Sequence, residues 1–334
     1  MRNTVAFAKD TANVFFHVQT QCNLKCRHCY INPQQHGSQI LPPEQITQWL
    51  EIIIHRSPAA NLILLGGEPT LYAELSTVVK AAKAMGYASI TIDTNGYLFN
   101  RILDRVTTDE VDFFSFSLDG PAAEINDVIR GQGCFDRCSA GIRKAKAKGF
   151  GISLIYTVSS LNIDHLEGMV PLLKDWDVDH FFIQVIGLRG KSAVAGGTIS
   201  PLQVTRDDWL KVVPPVADRV ARLGIRVTYP KVYLGVDEKF ECAGLVADNY
   251  FVFPNGRVYR CPLCEDFPLH SLVFEGDRLV TTNPINESGL FQLSIAEGCV
   301  MNKLIQPDNI AYGKGGIPTY QIACCLLKER LEPN

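Results

Sequence analysis

Short apolar runs alternate with amphipathic stretches along the first two thirds of the chain. The runs at 13–18, 61–65, 89–93, 112–117, 151–157 and 180–186 have the length and bounding turns of buried strands. Between them, positions 43–55, 74–85, 100–106, 136–148 and 165–176 carry apolar residues at helical spacing, and 206–223 continues the pattern. Strands separated by helices predict βα units and a parallel sheet, hence an α/β fold. Right-handed crossovers would curl that sheet into a partial (β/α)6 TIM-like barrel, with chemistry at the C-terminal ends of its strands. From about Gly224 the alternation stops. The reading is a barrel domain, 1–223, followed by a small cysteine-rich α+β domain, 224–334. Within the second, 250–260 reads as a β-hairpin with Asn255-Gly256 at its turn.

Composition adds class and compartment. Hydrophobic residues make up 46% of the 334 positions and charged ones 20%, which is globular. A net charge of −3 gives no reason to expect a nucleic-acid or membrane-surface partner. Met1 to Ala12 holds Arg2, Lys9 and Asp10 and no continuous apolar segment, so no signal peptide is expected. No run approaches the roughly 18 apolar residues of a membrane span. A cytoplasmic protein is the expectation. Its eleven cysteines then bind metal or do chemistry rather than pair as disulfides. They cluster at the two ends of the chain, with Cys134 and Cys138 between, which points to two metal centres. Cys134 and Cys138, four apart at the start of a helical stretch, read as packed thiols.

The first cluster, Cys22-x3-Cys26-x2-Cys29, follows the first strand directly. Three thiolates can hold three irons of a [4Fe–4S] cube and leave the fourth open, as catalytic metal sites require. A zinc knuckle of Cys22, Cys26, Cys29 and His28 is the alternative. The spacing, with aromatic His28 before the last cysteine, resembles the radical S-adenosylmethionine (radical SAM) superfamily. Further segments are similar to that family's motifs: Gly66-Gly67-Glu68-Pro69, Thr94-Asn95-Gly96, Ser117-Leu118-Asp119-Gly120 followed by Asp127-x2-Arg130, and the last barrel strand with Gln184. The resemblance implies that S-adenosylmethionine chelates the open iron. Glu68 and its motif would meet the amino group, Ser117 and Arg130 the carboxylate, and Thr94, Asn95 and Gln184 the nucleoside, with His28, Tyr30 and Asp119 nearby. The plainer readings are tight turns at the glycines, Arg130 in solvent or paired with Asp127, and Asp119 capping a turn. The loop 188–198 is a candidate substrate lid.

Cys242, thirteen residues, Gly256, four residues, Cys261 is similar to the first half-motif of SPASM and twitch extensions, which hold an auxiliary iron–sulfur cluster. The second SPASM half is missing. Cys264, Cys299, Cys324 and Cys325 stand in its place, which suggests the shorter twitch form. The implied ligands are Cys242, Cys261, Cys299 and one of Cys324 or Cys325. Two clusters, one of them incompletely ligated, or a zinc ribbon using Cys261 and Cys264, are alternatives.

The function implied is a redox enzyme that cleaves S-adenosylmethionine to a 5′-deoxyadenosyl radical and abstracts hydrogen from its substrate. A peptide or protein side chain leads as substrate. A small molecule (aminocyclitol, sugar, tetrapyrrole or other metabolite) altered by a dehydrogenase or epimerase is second. An epimerase would need a hydrogen-atom donor, for which Cys264 or Cys325 could serve. A reductant such as flavodoxin or ferredoxin is expected. About a dozen residues precede the first strand, too few for a leader-peptide-binding domain, so a separate protein would supply one. A non-catalytic zinc- or cluster-stabilised binding module is the reading from another class.

Overall fold

The computed structural model describes residues 2–5, 12–99, 101–193 and 200–333. A short β1 (Arg2–Val5) comes first. The six expected strands then form within one residue of their expected ends: β2 (Asn13–Gln19), β3 (Asn61–Gly66), β4 (Ser89–Thr94), β5 (Phe113–Ser117), β6 (Gly151–Val158) and β7 (His180–Val185). They pair in order, all parallel. The helices are α1 (Pro33–His36), α2 (Pro43–Arg56), α3 (Leu75–Ala84), α4 (Ala123–Arg130), α5 (Cys134–Ala147), α6 (Met169–Asp175) and α7 (Arg206–Ala221). On one face of β2 to β7, Val14, Phe16, Leu62, Ile92, Phe114 and Leu154 are wholly buried, while alternate positions such as Phe15, Asp93, Ile155 and Phe182 turn to the other face.

Three expectations change. The helix expected at 100–106 is a single 3-10 turn, Ile102–Asp104. Phe99 and Arg101 sit at φ 56° and 64°, the left-handed region, which an α-helix cannot run through. Asn100 lies outside the described residues. The helix expected at 165–176 begins as a 3-10 segment, Ile163–Gly168, and becomes α-helical only in α6. Third, the alternation does not stop at Gly224. After α7 the chain adds β8 (Arg226–Pro230), parallel to β7. Its five residues begin with arginine and end with proline, so they show no apolar run.

The rest of the chain is built onto both edges of this sheet. It contains β9 (Tyr233–Leu234), β10 (Asn249–Val252), β11 (Arg257–Tyr259), β12 (Leu272–Glu275), β13 (Arg278–Thr281), β14 (Gln321–Ile322) and β15 (Lys328–Leu331). β10 joins parallel to β2, and β11, β12 and β13 continue antiparallel from it. At the far edge β15 runs antiparallel to β8, with β1 beyond it. The result is one sheet of 13 strands, plus a β9–β14 ribbon. The cysteine-rich C-terminal part is therefore hydrogen-bonded into the barrel sheet, not carried on a sheet of its own.

The expected hairpin is β10–β11. Its turn is the four-residue Phe253-Pro254-Asn255-Gly256, closed by the Gly256 N–H on Phe253 O, with Gly256 at φ 83°. Pro254 fixes the turn's bend, so Asn255-Gly256 is not a two-residue connection. The turn docks on the chain just past the first cysteines. Asn255 donates to His36 O and Gln35 O, and the Phe253 ring lies between His17 and His36 with both centroids at 4.0 Å. Among the described residues no helix is long and apolar enough to cross a membrane.

Candidate active site

The C-terminal ends of the parallel strands open into one cavity of about 350 Å³. The loop after β2 supplies Cys22, Cys26, His28, Cys29 and Tyr30 to its wall. The ends of β3 and β4 supply Gly66, Gly67, Glu68, Thr94 and Asn95, while Ser117, Arg130 and Gln184 complete it. Two expected site residues lie behind the wall: Pro69, buried at the start of a 3-10 turn, and Asp119, fully buried.

The paired glycines serve the cysteine loop first. The Gly67 N–H donates to Gln19 O and the Glu68 N–H to Gln21 O, both at 2.9 Å. A Cβ on Gly66 would stand 2.2 Å from Gln19 O, and one on Gly67 2.1 Å from Gln21 O. Only glycine lets these two backbones meet. The Glu68 carboxylate, expected to receive an ammonium, is taken by the chain. Its Oε1 accepts from Thr70 N, from Thr70 Oγ1 (2.6 Å) and from Thr94 Oγ1 (2.7 Å), and its Oε2 accepts from Asn95 N (2.8 Å). Burial raises its pKa against these hydrogen bonds. Asn95 in turn donates to Asn23 Oδ1 at 2.9 Å and faces Cys22 Sγ at 3.8 Å. Glu68 thus fastens β3 to the end of β4, and Asn95 fastens that end to the cysteines.

Asp119 holds the opposite wall. Its Oδ2 lies 2.8 Å from His28 Nε2 and 2.7 Å from Arg130 Nε, and its Oδ1 accepts from Thr157 N at 2.9 Å. Burial alone would raise its carboxyl, but Arg130, His28 and the Thr157 N–H outweigh it and bring it down to about 2. Arg130 therefore pairs with Asp119. Asp127 instead caps α5 by accepting from Gly133 N and Phe135 N. His28, engaged with Asp119, does not close a tetrahedral set with the three cysteines. Its Nδ1 is buried with no hydrogen-bond partner, an orphan beside three thiols. Burial pushes the Cys22 thiol up to about 11, so a bound metal would have to displace its proton. Three thiols and a fixed guanidinium on one wall fit a cluster with an open iron and a carboxylate-bearing ligand.

Sequence reasoning missed several lining residues. Arg189 lies 4.4 Å above the Tyr30 ring and pairs with buried Glu265, whose carboxyl burial pushes up to about 8. Lys191 N donates to Cys29 O at 2.9 Å, so the start of the expected lid clamps the cysteine loop. Residues 194–198 of that loop lie outside the described residues. Asp93, inside β4, faces the cavity, and burial brings its carboxyl up to about 7. A charged residue two positions before Asn95 in an apolar strand was its signal. Lys328 also lines the cavity and had no signal. Cys134 and Cys138 are packed, facing Arg130 O and Ser117 O.

The late cysteines gather beside this cavity. Cys242, Cys261, Cys299, Cys324 and Cys325 line a hollow of about 20 Å³. Cys264 is fully buried and stands outside its wall, in contact with Cys261. Burial pushes the Cys242 and Cys299 thiols up, against backbone N–H groups of Gly244 and Leu245 at Cys242 and of Asn302 at Cys299 that favour the thiolate. Cys325 lines both cavities. Among the described residues no three His, Cys, Asp or Glu side chains converge on a point one metal ion could occupy. A single zinc needs such convergence, whereas the thiolates of a cube each reach a different iron.

Comparison with known proteins bears on this arrangement. Residues 16–173 match the Radical SAM superfamily. The pre-heme d1 synthase of Dinoroseobacter shibae is 32% identical over 181 residues, 53% of this chain and 44% of that protein. The Fe-coproporphyrin III synthase of Methanosarcina barkeri is 27% identical over 195 residues, 56% of this chain and 48% of that protein. The chain spans about half the length of these curated relatives. Among solved structures, Streptococcus suis SuiB bound to S-adenosylmethionine shares the fold, with a TM-score of 0.67 at 14% identity over 89% of this chain and 74% of that chain. Residues 16–173 thus form a domain similar to the radical SAM superfamily, with the cysteine loop, paired glycines and Arg130 gathered on one cavity wall, and the chain is an enzyme.

Proposed function

We propose that this protein is a radical SAM oxidoreductase that removes a hydrogen atom from a substrate held in the 350 Å³ cavity and passes an electron toward a second cluster. One observation carries the reading: all three early cysteines and the motif residues of four different strands line the same cavity. A [4Fe–4S] cluster held there with S-adenosylmethionine supplies, on reduction, the 5′-deoxyadenosyl radical. Cys22, Cys26 and Cys29 would hold the cluster. Arg130, its orientation fixed by Asp119, would bind the methionine carboxylate together with Ser117. Glu68 is a positioning residue, and the buried wall keeps water from the reacting carbon.

Cys242, Cys261, Cys299 and one of Cys324 or Cys325 would hold the auxiliary [4Fe–4S] cluster. Bound there, such a cluster would supply an acceptor for the one electron that, with one proton to a base, completes the two-electron oxidation of a substrate that has lost a hydrogen atom. Asp93, in the wall with its carboxyl raised to about 7, is placed to take the proton. Of the two thiols considered as hydrogen-atom donors, Cys325 lies in the cavity wall and Cys264 does not. Flavodoxin or ferredoxin would supply the first electron, in the reducing cytoplasm that suits eleven free cysteines.

Relatives at 27–32% identity are named as a pre-heme d1 synthase, an Fe-coproporphyrin III synthase and probable GTP 3′,8-cyclases, which favours a small-molecule substrate. The likeness to SuiB, also solved with its precursor peptide, is one of fold; under that second reading a peptide would occupy the cavity and a separate leader-binding protein would deliver it. The test is formation of 5′-deoxyadenosine by anaerobically reconstituted protein with dithionite. Wild type should form it, Cys29→Ala should not, and Arg130→Met should need at least tenfold more S-adenosylmethionine. An inactive wild type, or an Arg130→Met variant that binds normally, defeats the proposal.

A further inference from the structure

Three cations of lysine or arginine line the large cavity: Arg130, Arg189 and Lys328. Arg130 is balanced by Asp119 and Arg189 by Glu265. Lys328, on β15 opposite Pro230 of β8, has no carboxylate partner among the described residues. Its ammonium lies 5.1 Å from the centre of the Phe182 ring, and Cys325 and Cys324 are the titratable groups facing it. Two positions along β7 from Phe182, Gln184 points into the same cavity, and among the described residues its carboxamide has no hydrogen-bond partner. On β2 and β10, the Phe15 and Phe251 rings, stacked at 4.6 Å, give the same cavity a flat apolar face.

A half-buried ammonium in a cavity wall, faced by thiols and with no carboxylate beside it, is open to a ligand that supplies negative charge. We propose that Lys328, with Gln184 beside it, is the anchor for a substrate carboxylate, and that the substrate is a carboxylate-bearing molecule whose apolar body lies against Phe182 and the Phe15–Phe251 pair. The inference rests on the reading of this cavity as the substrate site. It assigns the C-terminal strand β15 a direct part in specificity. The anion is a carboxylate, because one ammonium and one carboxamide present donors for a two-oxygen group. No donor array of the size a phosphate requires surrounds them among the described residues.

The probe is coproporphyrin III, a tetracarboxylate with a flat apolar body, titrated by its fluorescence into the reconstituted protein with S-adenosylmethionine present. Its tetramethyl ester is the control. Wild type should bind the acid at least tenfold more tightly than the ester. Lys328→Gln should lose that preference and Lys328→Arg should keep most of it. Wild type itself, reduced with dithionite, should form 5′-deoxyadenosine. That readout fails by itself if the radical SAM reading is wrong, whatever the binding result. Equal binding of acid and ester, no saturable binding of the acid by wild type, or an unchanged preference in Lys328→Gln overturns the inference. A Lys328→Gln variant that binds the acid normally but has altered cluster spectra also overturns it, since the ammonium would then serve the cysteines.

Discussion

At the scale of single residues, three carboxylates around the cavity do different work because their surroundings differ. Asp119 is held down to about 2 by Arg130 and His28 against the effect of burial. A depressed pKa gives stability that is present above the unfolded value near 3.9 and is lost as pH falls toward 2. Asp119→Asn should therefore cost about 2 kcal/mol at neutral pH, with the difference shrinking below pH 4, as measured by urea unfolding of the metal-free protein. Asp93 behaves in the opposite sense. Burial brings it up to about 7, so the folded chain keeps a proton that the unfolded chain releases near pH 4. Its contribution is fully present below pH 4 and is lost as pH rises to about 7. Asp93→Asn should raise the urea midpoint relative to wild type more at pH 8 than at pH 5; the reverse order would remove Asp93 from the list of buried acids. Glu68 was legible as a motif residue. Its role was not, because the four donors that occupy it come from three separate positions that only the fold brings together.

Individual elements show where the sequence speaks clearly. Strands β2 to β7 were legible because each is a short, mostly apolar run bounded by turns. β8 was not: two of its five residues, Arg226 and Pro230, break the run, and its place is set by pairing with β7 and β15. The helix expected at 100–106 failed because left-handed residues on either side are set by tertiary packing, which periodicity does not encode. The joint between β3 and the cysteine loop gives an element-scale test. Gly67→Ala places a Cβ against backbone oxygen, so the two segments must part by an ångström or more. The variant should fold with native-like far-UV circular dichroism yet retain less than half the iron of wild type after gel filtration. Full retention would mean the glycines are there for the turn alone.

For the whole molecule, one sheet carries both sets of cysteines. The sequence separated a barrel from a cysteine-rich extension, and the composition does change near Gly224. Hydrogen bonding, however, runs from β10 through β2 to β8 and β15 without interruption. That continuity brings Cys325 and Lys328 into the cavity of the first cysteine cluster. Long-range strand pairing leaves no trace in local pattern, so neither residue could be placed from sequence. Residues 1–223 expressed alone would lack β8, β10 and β15 and expose both edges of the parallel sheet. They should aggregate or show no cooperative thermal transition; a soluble, cooperatively folding fragment would show that the second part is an independent domain.

The central claim is that two iron–sulfur centres meet at one cavity. Iron and acid-labile sulfide per chain, measured after anaerobic reconstitution of wild type and of Cys22→Ala/Cys26→Ala/Cys29→Ala, test it most directly. The expected result is about eight irons in wild type and about four in the triple variant, with sulfide in proportion. Zinc in place of iron, or a triple variant left with no metal, would contradict it.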